Sequence, residues 1–174
     1  MLSDDLARSA ERLLELAQAR HVTIASAESS TGGLLAQLLC DAPGAGTLFH
    51  GSFVTYTKAQ KARALGVAAE LLRRKGAVCI EVACAMAEGA LRHSPADFAV
   101  AITGVAGPEP DEDGNPVGRV CIAVAARGEA PQGFGCAYED DGREAIRHRA
   151  VADALAALAK RICAWSDHEP GRTP

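Results

Sequence analysis

The sequence predicts an α/β fold, a single three-layer α/β/α domain with a mixed central sheet. Three observations carry that expectation. Short apolar stretches of strand length alternate with longer stretches of helical periodicity, the pattern of a sheet covered by helices. A late pair of strands with no helix between them makes the sheet mixed rather than purely parallel. The third is composition: 48% of the 174 residues are hydrophobic but only 4% are aromatic, so small side chains pack helices onto the sheet. A chain of this length suits one domain, burying roughly 70% of its unfolded surface. No internal repeat or linker divides it.

The elements follow in order. Ser3 is a good N-cap, with Asp4 and Asp5 in the first turn, and Leu6, Ala10, Leu13, Leu14 and Ala17 then recur at helical spacing up to His21. Residues 22–27 read as a short buried strand, and a Ser/Thr/Gly turn leads into a helix over 33–40. Pro43, Gly44 and Gly46 break the chain. Residues 47–56, rich in β-branched and aromatic side chains, read as a strand, or two strands kinked at Gly51. Thr57 and Gln60 form a capping box that starts a short helix to about Leu65. Helices over 68–75 and 81–93 follow, then a strongly apolar strand over 98–103. A long Pro/Gly-rich loop over 104–118 carries Glu109, Asp111, Glu112 and Asp113. Strands over 119–126 and 132–138 come next, and a last helix over 142–165 with Ile146, Ala150, Ala154, Leu158 and Ile162 on one face. Residues 166–174 read as a flexible tail.

Charge and cysteine usage exclude several classes. Lys and Arg number 18 against 22 acids, a net charge of −4, which lacks the footprint for gripping nucleic acid. No apolar run reaches membrane-spanning length. The N-terminal stretch carries acids where a signal peptide carries basic residues, so a cytoplasmic protein is expected. Six cysteines (Cys40, Cys79, Cys84, Cys121, Cys136, Cys163) without a CxxC pair read as reduced thiols acting as small core hydrophobes. The five histidines show no ligand spacing beside them, so no metal is expected.

Four stretches have chemical potential. SAESSTGG (26–33) places hydroxyls and glycines before a helix, where free backbone N–H groups favour an anion or an oxyanion. Ser29, Ser30 or Thr31 acting merely as a helix cap is the simpler alternative. In YTKAQK (56–61) the capping box puts Lys61 one turn inside a helix near its positive end, which disfavours a charged ammonium, as does any burial. That is the push a lysine base needs; the alternative is a solvated surface lysine, with Lys58 the more exposed of the two. In TGVAGPEPDEDGNPVG (103–118) the small residues after an apolar strand allow close approach to a ligand, while the acids read as a solvated lid rather than a calcium loop. Arg143, Arg147 and Arg149 with His148 form a cationic face, solvated or reaching a phosphate.

AESSTGG (27–33), FVTYTKAQK (53–61), GAVCIEVACAMAEGAL (76–91), ITGVAGP (102–108), PVGRV (116–120) and GREAIR (142–147) together resemble the CinA C-terminal domain, or nicotinamide-nucleotide amidase, family. They stand in the family's order and approximate spacing across about residues 5–165. The resemblance implies an amidase domain over 1–165 that hydrolyses the amide of nicotinamide mononucleotide, needs no cofactor, and forms a homo-oligomer, a dimer first. It implies Ser29 as nucleophile, Lys61 as base, and Tyr56 placed to pass a proton or orient the amide. Ser30, Thr31, Gly32 and Gly33 would line the site, Thr103, Gly104 and Ala106 would face the substrate, and Arg143 would take the phosphate. Ser30 stands where many relatives carry a cysteine, which removes a rival cysteine mechanism. A non-catalytic nucleotide-binding module of the same fold, or an amidase for another small amide, are the alternatives.

Overall fold

The structure, a computed structural model, describes residues 2–165, so the tail expected over 166–174 lies outside the described residues. Its elements are α1 (Leu2–Ala19), β1 (Ile24–Glu28), α2 (Leu34–Asp41), α3 (Ala45–Leu48), β2 (Phe49–Val54), α4 (Lys58–Leu65), α5 (Ala69–Lys75), α6 (Ile80–Arg92), β3 (Phe98–Gly104), β4 (Arg119–Ala126), β5 (Gln132–Ala137) and α7 (Arg143–Ala164). The five strands form one mixed sheet in the order β2-β1-β3-β4-β5. β1 pairs parallel with both β2 and β3, and β3–β4 and β4–β5 are antiparallel. The α/β/α expectation holds, including the mixed sheet.

Period-2 alternation builds the two cores. In β3, Phe98, Val100 and Ile102 face one layer, formed by α1, α2 and α7. Ala99 and Ala101, with Ala123 and Ala125 of β4, face the other, dominated by α6. The large side chains fill the space beneath three helices, whereas the alanine face lets α6 come close. Gly89 carries that approach further: a Cβ there would lie 2.3 Å from the Leu65 carbonyl oxygen at the end of α4.

Three expectations are corrected. The first helix begins at Leu2, so Ser3 lies within it rather than capping it. The stretch read as strand over 47–56 opens with the short helix α3, and β2 starts only at Phe49: Gly44, with φ 86°, turns the chain there, and tertiary context overrides the β-branched Thr47. The cysteines are not uniformly core; Cys121 is buried, Cys40 and Cys163 are exposed and the others half-buried. The capping box is present as read, with Thr57 Oγ1 accepting from the Gln60 amide at 3.1 Å.

Candidate active site

The carboxyl ends of the parallel strands β1, β2 and β3 converge on a cleft of about 410 Å³, the place where sheets of this kind bind ligands. Ser29 and Ser30 continue from β1, Tyr56 from β2, and Thr103 and Gly104 end β3. Ala106, Lys61 at the first turn of α4, and Arg143 at the first residue of α7 also stand in its wall. Thr31, Gly32 and Gly33, expected to line the site, are not in that wall, and Thr31 is fully buried.

Lys61 is among the largest fully buried side chains, 0% exposed, so it is not a surface lysine. Its Nζ lies 2.7 Å from Ser29 Oγ and donates to the carbonyl of Thr55 at 2.8 Å. The Tyr56 carbonyl is at 3.5 Å. Among the described residues no carboxylate pairs with it. Burial therefore pulls its pKa from 10.5 down to about 8. A neutral amine has two hydrogens and one lone pair, and with carbonyls taking the hydrogens the lone pair is left for the Ser29 hydroxyl.

The turn around Ser29 is held by a residue the sequence reading passed over. Glu28, at the end of β1, is fully buried. Its Oε2 accepts from Thr31 Oγ1 (2.7 Å) and the amides of Gly33 and Leu35 (both 3.1 Å). Its Oε1 accepts from the Ala36 amide (2.9 Å) and Ser52 Oγ (3.3 Å). The anion expected at the start of α2 is thus the protein's own, and no hydroxyl of the turn caps that helix, whose N-cap is Gly33 with φ 99°. The signal was present as a carboxylate ending an apolar strand directly before the serines. Within the turn, the Ser29 amide donates to Ile102 O and the Gly32 amide to Ser29 O, both at 3.0 Å. The Ser30 and Thr31 amides have no acceptor among the described residues.

The acid-rich loop is not simply a solvated lid. Asp111, Glu112 and Asp113 line the cleft, and Lys58 Nζ pairs with Asp113 (2.7 Å) and Glu112 (2.8 Å). Lys58 is therefore half-buried and engaged rather than free. The pairing holds its pKa above the usual lysine value and the Asp113 carboxyl below the usual carboxylate range. Asp113 also accepts from the Ala77 amide at 3.3 Å. Thr103 Oγ1 donates to Ala77 O at 2.8 Å, fixing the end of β3 to the same segment. On the opposite rim, Arg143 donates to Gly107 O (2.6 Å) and to Tyr56 Oη (3.3 Å). Tyr56 is 61% exposed, and its hydroxyl is engaged by Arg143. Arg147, one turn further along α7, donates instead to Thr31 O through Nε (3.1 Å) and Nη2. Among the described residues no group of three or more His, Cys, Asp or Glu is arranged to hold a metal, and no helix is long and apolar enough to cross a membrane.

The family model described as the CinA C-terminal domain matches residues 6–162. The chain is 43% identical over 157 residues to a competence-damage inducible protein of Symbiobacterium thermophilum; the match covers 85% of this chain and 36% of that protein, so the chain spans about a third of its length. It is 40% identical over 159 residues to the nicotinamide-nucleotide amidohydrolase PncC of Escherichia coli, covering 91% of this chain and 95% of that one. Among solved structures, the competence/damage inducible protein CihA of Agrobacterium tumefaciens has a TM-score of 0.86 at 39% identity, covering 90% of this chain and 94% of that one.

Proposed function

The chain belongs to the CinA C-terminal domain family, and from that membership and the cleft's geometry we propose that it converts nicotinamide mononucleotide to nicotinate mononucleotide and ammonia by a serine–lysine mechanism. It is an amidohydrolase, as its relatives of matching length are. The observation that carries the mechanism is the 2.7 Å contact between a buried, uncompensated lysine and a serine hydroxyl.

Ser29 Oγ attacks the carboxamide carbon while Lys61 takes its proton. The carbonyl oxygen becomes an oxyanion, met by the unpaired amide of Ser30 in the cleft wall. The C–N bond then breaks and the departing nitrogen takes the proton from Lys61, leaving as ammonia. Water attacks the resulting ester, Lys61 holds that proton, and its return to Ser29 Oγ restores the enzyme. Thr103, Gly104 and Ala106 form the wall facing the nucleophile. Arg143 offers the phosphate the donors that Gly107 and Tyr56 do not occupy, and Tyr56 orients that arginine rather than relaying a proton.

Ammonia release from the mononucleotide in the presence of EDTA tests this reading. Wild type turns over, while Ser29→Ala and Lys61→Ala each lose several orders of magnitude in kcat, and the double variant is little worse than either because the pair acts as a unit. A dead Ser30→Ala variant alongside an active Ser29→Ala would move the nucleophile by one position.

A further inference from the structure

A turn rich in Ser and Thr immediately before a helix has a competing use for its hydroxyls and amides, because those residues are the best N-caps. In this molecule that competition is removed. The amides of Gly33, Leu35 and Ala36 at the start of α2 are bound by Glu28, so neither Ser29 nor Ser30 is drawn into capping. Glu28 Oε2 accepts three bonds and Oε1 two, which fills a carboxylate's acceptor capacity with neutral donors only. Thr31 is gripped from both sides. Its hydroxyl donates to Glu28 from the β1 side, and its carbonyl accepts from Arg147 on α7. Thr31 is thereby fixed in place, and the Ser29–Ser30 peptide is fixed through its own carbonyl, which accepts from the Gly32 amide at 3.0 Å, so the Ser30 N–H, in the cleft wall, is the donor that remains.

We propose that Glu28 and Arg147 are positioning residues, which clamp Thr31 between β1 and α7 and thereby aim the neighbouring Ser30 amide at the oxyanion formed on Ser29. The assignment rests on the amidase reading above and deepens it. It gives Arg147 a role distinct from that of Arg143, four residues earlier on the same helix: one guanidinium holds the turn, the other faces the cleft.

The test uses Arg147→Met, Arg147→Lys and Glu28→Gln in the full chain. Arg147→Met lowers kcat about ten- to a hundredfold, the scale for a misplaced oxyanion donor, with KM within about threefold. Arg147→Lys recovers part of the loss, since an ammonium can still donate to Thr31 O. The pH midpoint of kcat/KM stays near 8, because Lys61 is held by α4 and Thr55 and not by the clamp. Glu28→Gln keeps the shape but turns an NH₂ toward a ring of donors, and it loses at least as much kcat. The double variant is no worse than Glu28→Gln alone, since both act through Thr31. Labelling by a fluorophosphonate gives a readout independent of the natural substrate. Ser29 Oγ forms the P–O bond, the P–F bond breaks, fluoride leaves, Lys61 takes the proton, and the phosphonyl oxygen occupies the oxyanion's place. Wild type that labels on Ser29 yet ignores the mononucleotide would refute the substrate reading and leave the clamp to be judged by the variants' labelling rates. Arg147→Met and Glu28→Gln labelling as fast as wild type would overturn the clamp. So would a rise in KM for the mononucleotide at constant kcat in Arg147→Met, which would make Arg147 a phosphate ligand. If Glu28→Gln fails to fold, the Arg147 pair decides alone.

Discussion

Burying an amine without a counter-charge costs free energy whenever the amine is protonated, and Lys61 incurs that cost beside Ser29, where the proposed mechanism needs a base. With a pKa pulled from 10.5 to about 8, the neutral form dominates only above pH 8. The kcat/KM profile on nicotinamide mononucleotide is therefore expected to rise with pH and level off past about 8; a profile flat from pH 6 to 9 would exclude Lys61 as the base. The same shift acts on stability. The folded state binds fewer protons than the unfolded chain between pH 8 and 10.5, so this residue's contribution improves as pH rises through that window and is lost as pH falls through 8. Lys61→Met removes the penalty and is expected to be the more stable protein at pH 7, by an amount on the order of 3 kcal/mol, with the gap closing toward pH 10.5. Denaturant melts of both proteins at pH 7 and 10 measure it. At this scale Ser29 and Lys61 were legible, because their motifs carry them. Glu28 was not, because a lone acid in a strand shows its five partners only once β2 and α2 are folded around it.

Elements place those residues, and close approaches between them set the tolerance. α4 carries Lys61, and its C-terminal end rests on α6 at Gly89, where Arg92 also donates to Leu65 O at 2.9 Å. Gly89→Ala would put a methyl 2.3 Å from a backbone oxygen that has no flexible side chain to yield. It is expected to destabilise the protein by about 1–3 kcal/mol and to reduce kcat as α4 shifts, read by thermal melting alongside turnover. Unchanged activity and Tm would show that α4 moves without disturbing Lys61. At the cleft mouth, Arg143 joins α7 to the Gly107 backbone and to Tyr56. Arg143→Ala should lose about ten- to a hundredfold in kcat/KM on the mononucleotide and far less on nicotinamide riboside, which lacks the phosphate; equal losses on both would give the arginine a role in the fold alone. Most helices and strands were legible within a residue or two, since caps and periodicity are local. α3 was not, because it depends on packing against α1, α2 and β2, and the engagement of the acidic loop with Lys58 was not, because it joins segments more than 50 residues apart.

The whole molecule is a sheet with a large-residue face and an alanine face, and the difference tilts its layers' roles. The face beneath α1, α2 and α7 carries the bulk of the large aliphatic core, while the alanine face lets α6 approach, and α4, packed on α6, carries Lys61 into the cleft. Among the described residues, both edge strands, β2 and β5, have one unpaired side. We propose that two copies associate, as the family resemblance implies. Light scattering is expected to give twice the 18.0 kDa chain mass, and a monomer at micromolar concentration would contradict it. The central claim is that catalysis passes through an ester on Ser29, and an intact-mass measurement on acid-quenched turnover tests it most directly. Wild type mixed with nicotinamide mononucleotide should carry an adduct of the nucleotide less ammonia on the peptide containing Ser29, absent in Ser29→Ala. Undiminished ammonia release by Ser29→Ala, or an adduct mapped to another residue, would contradict the account.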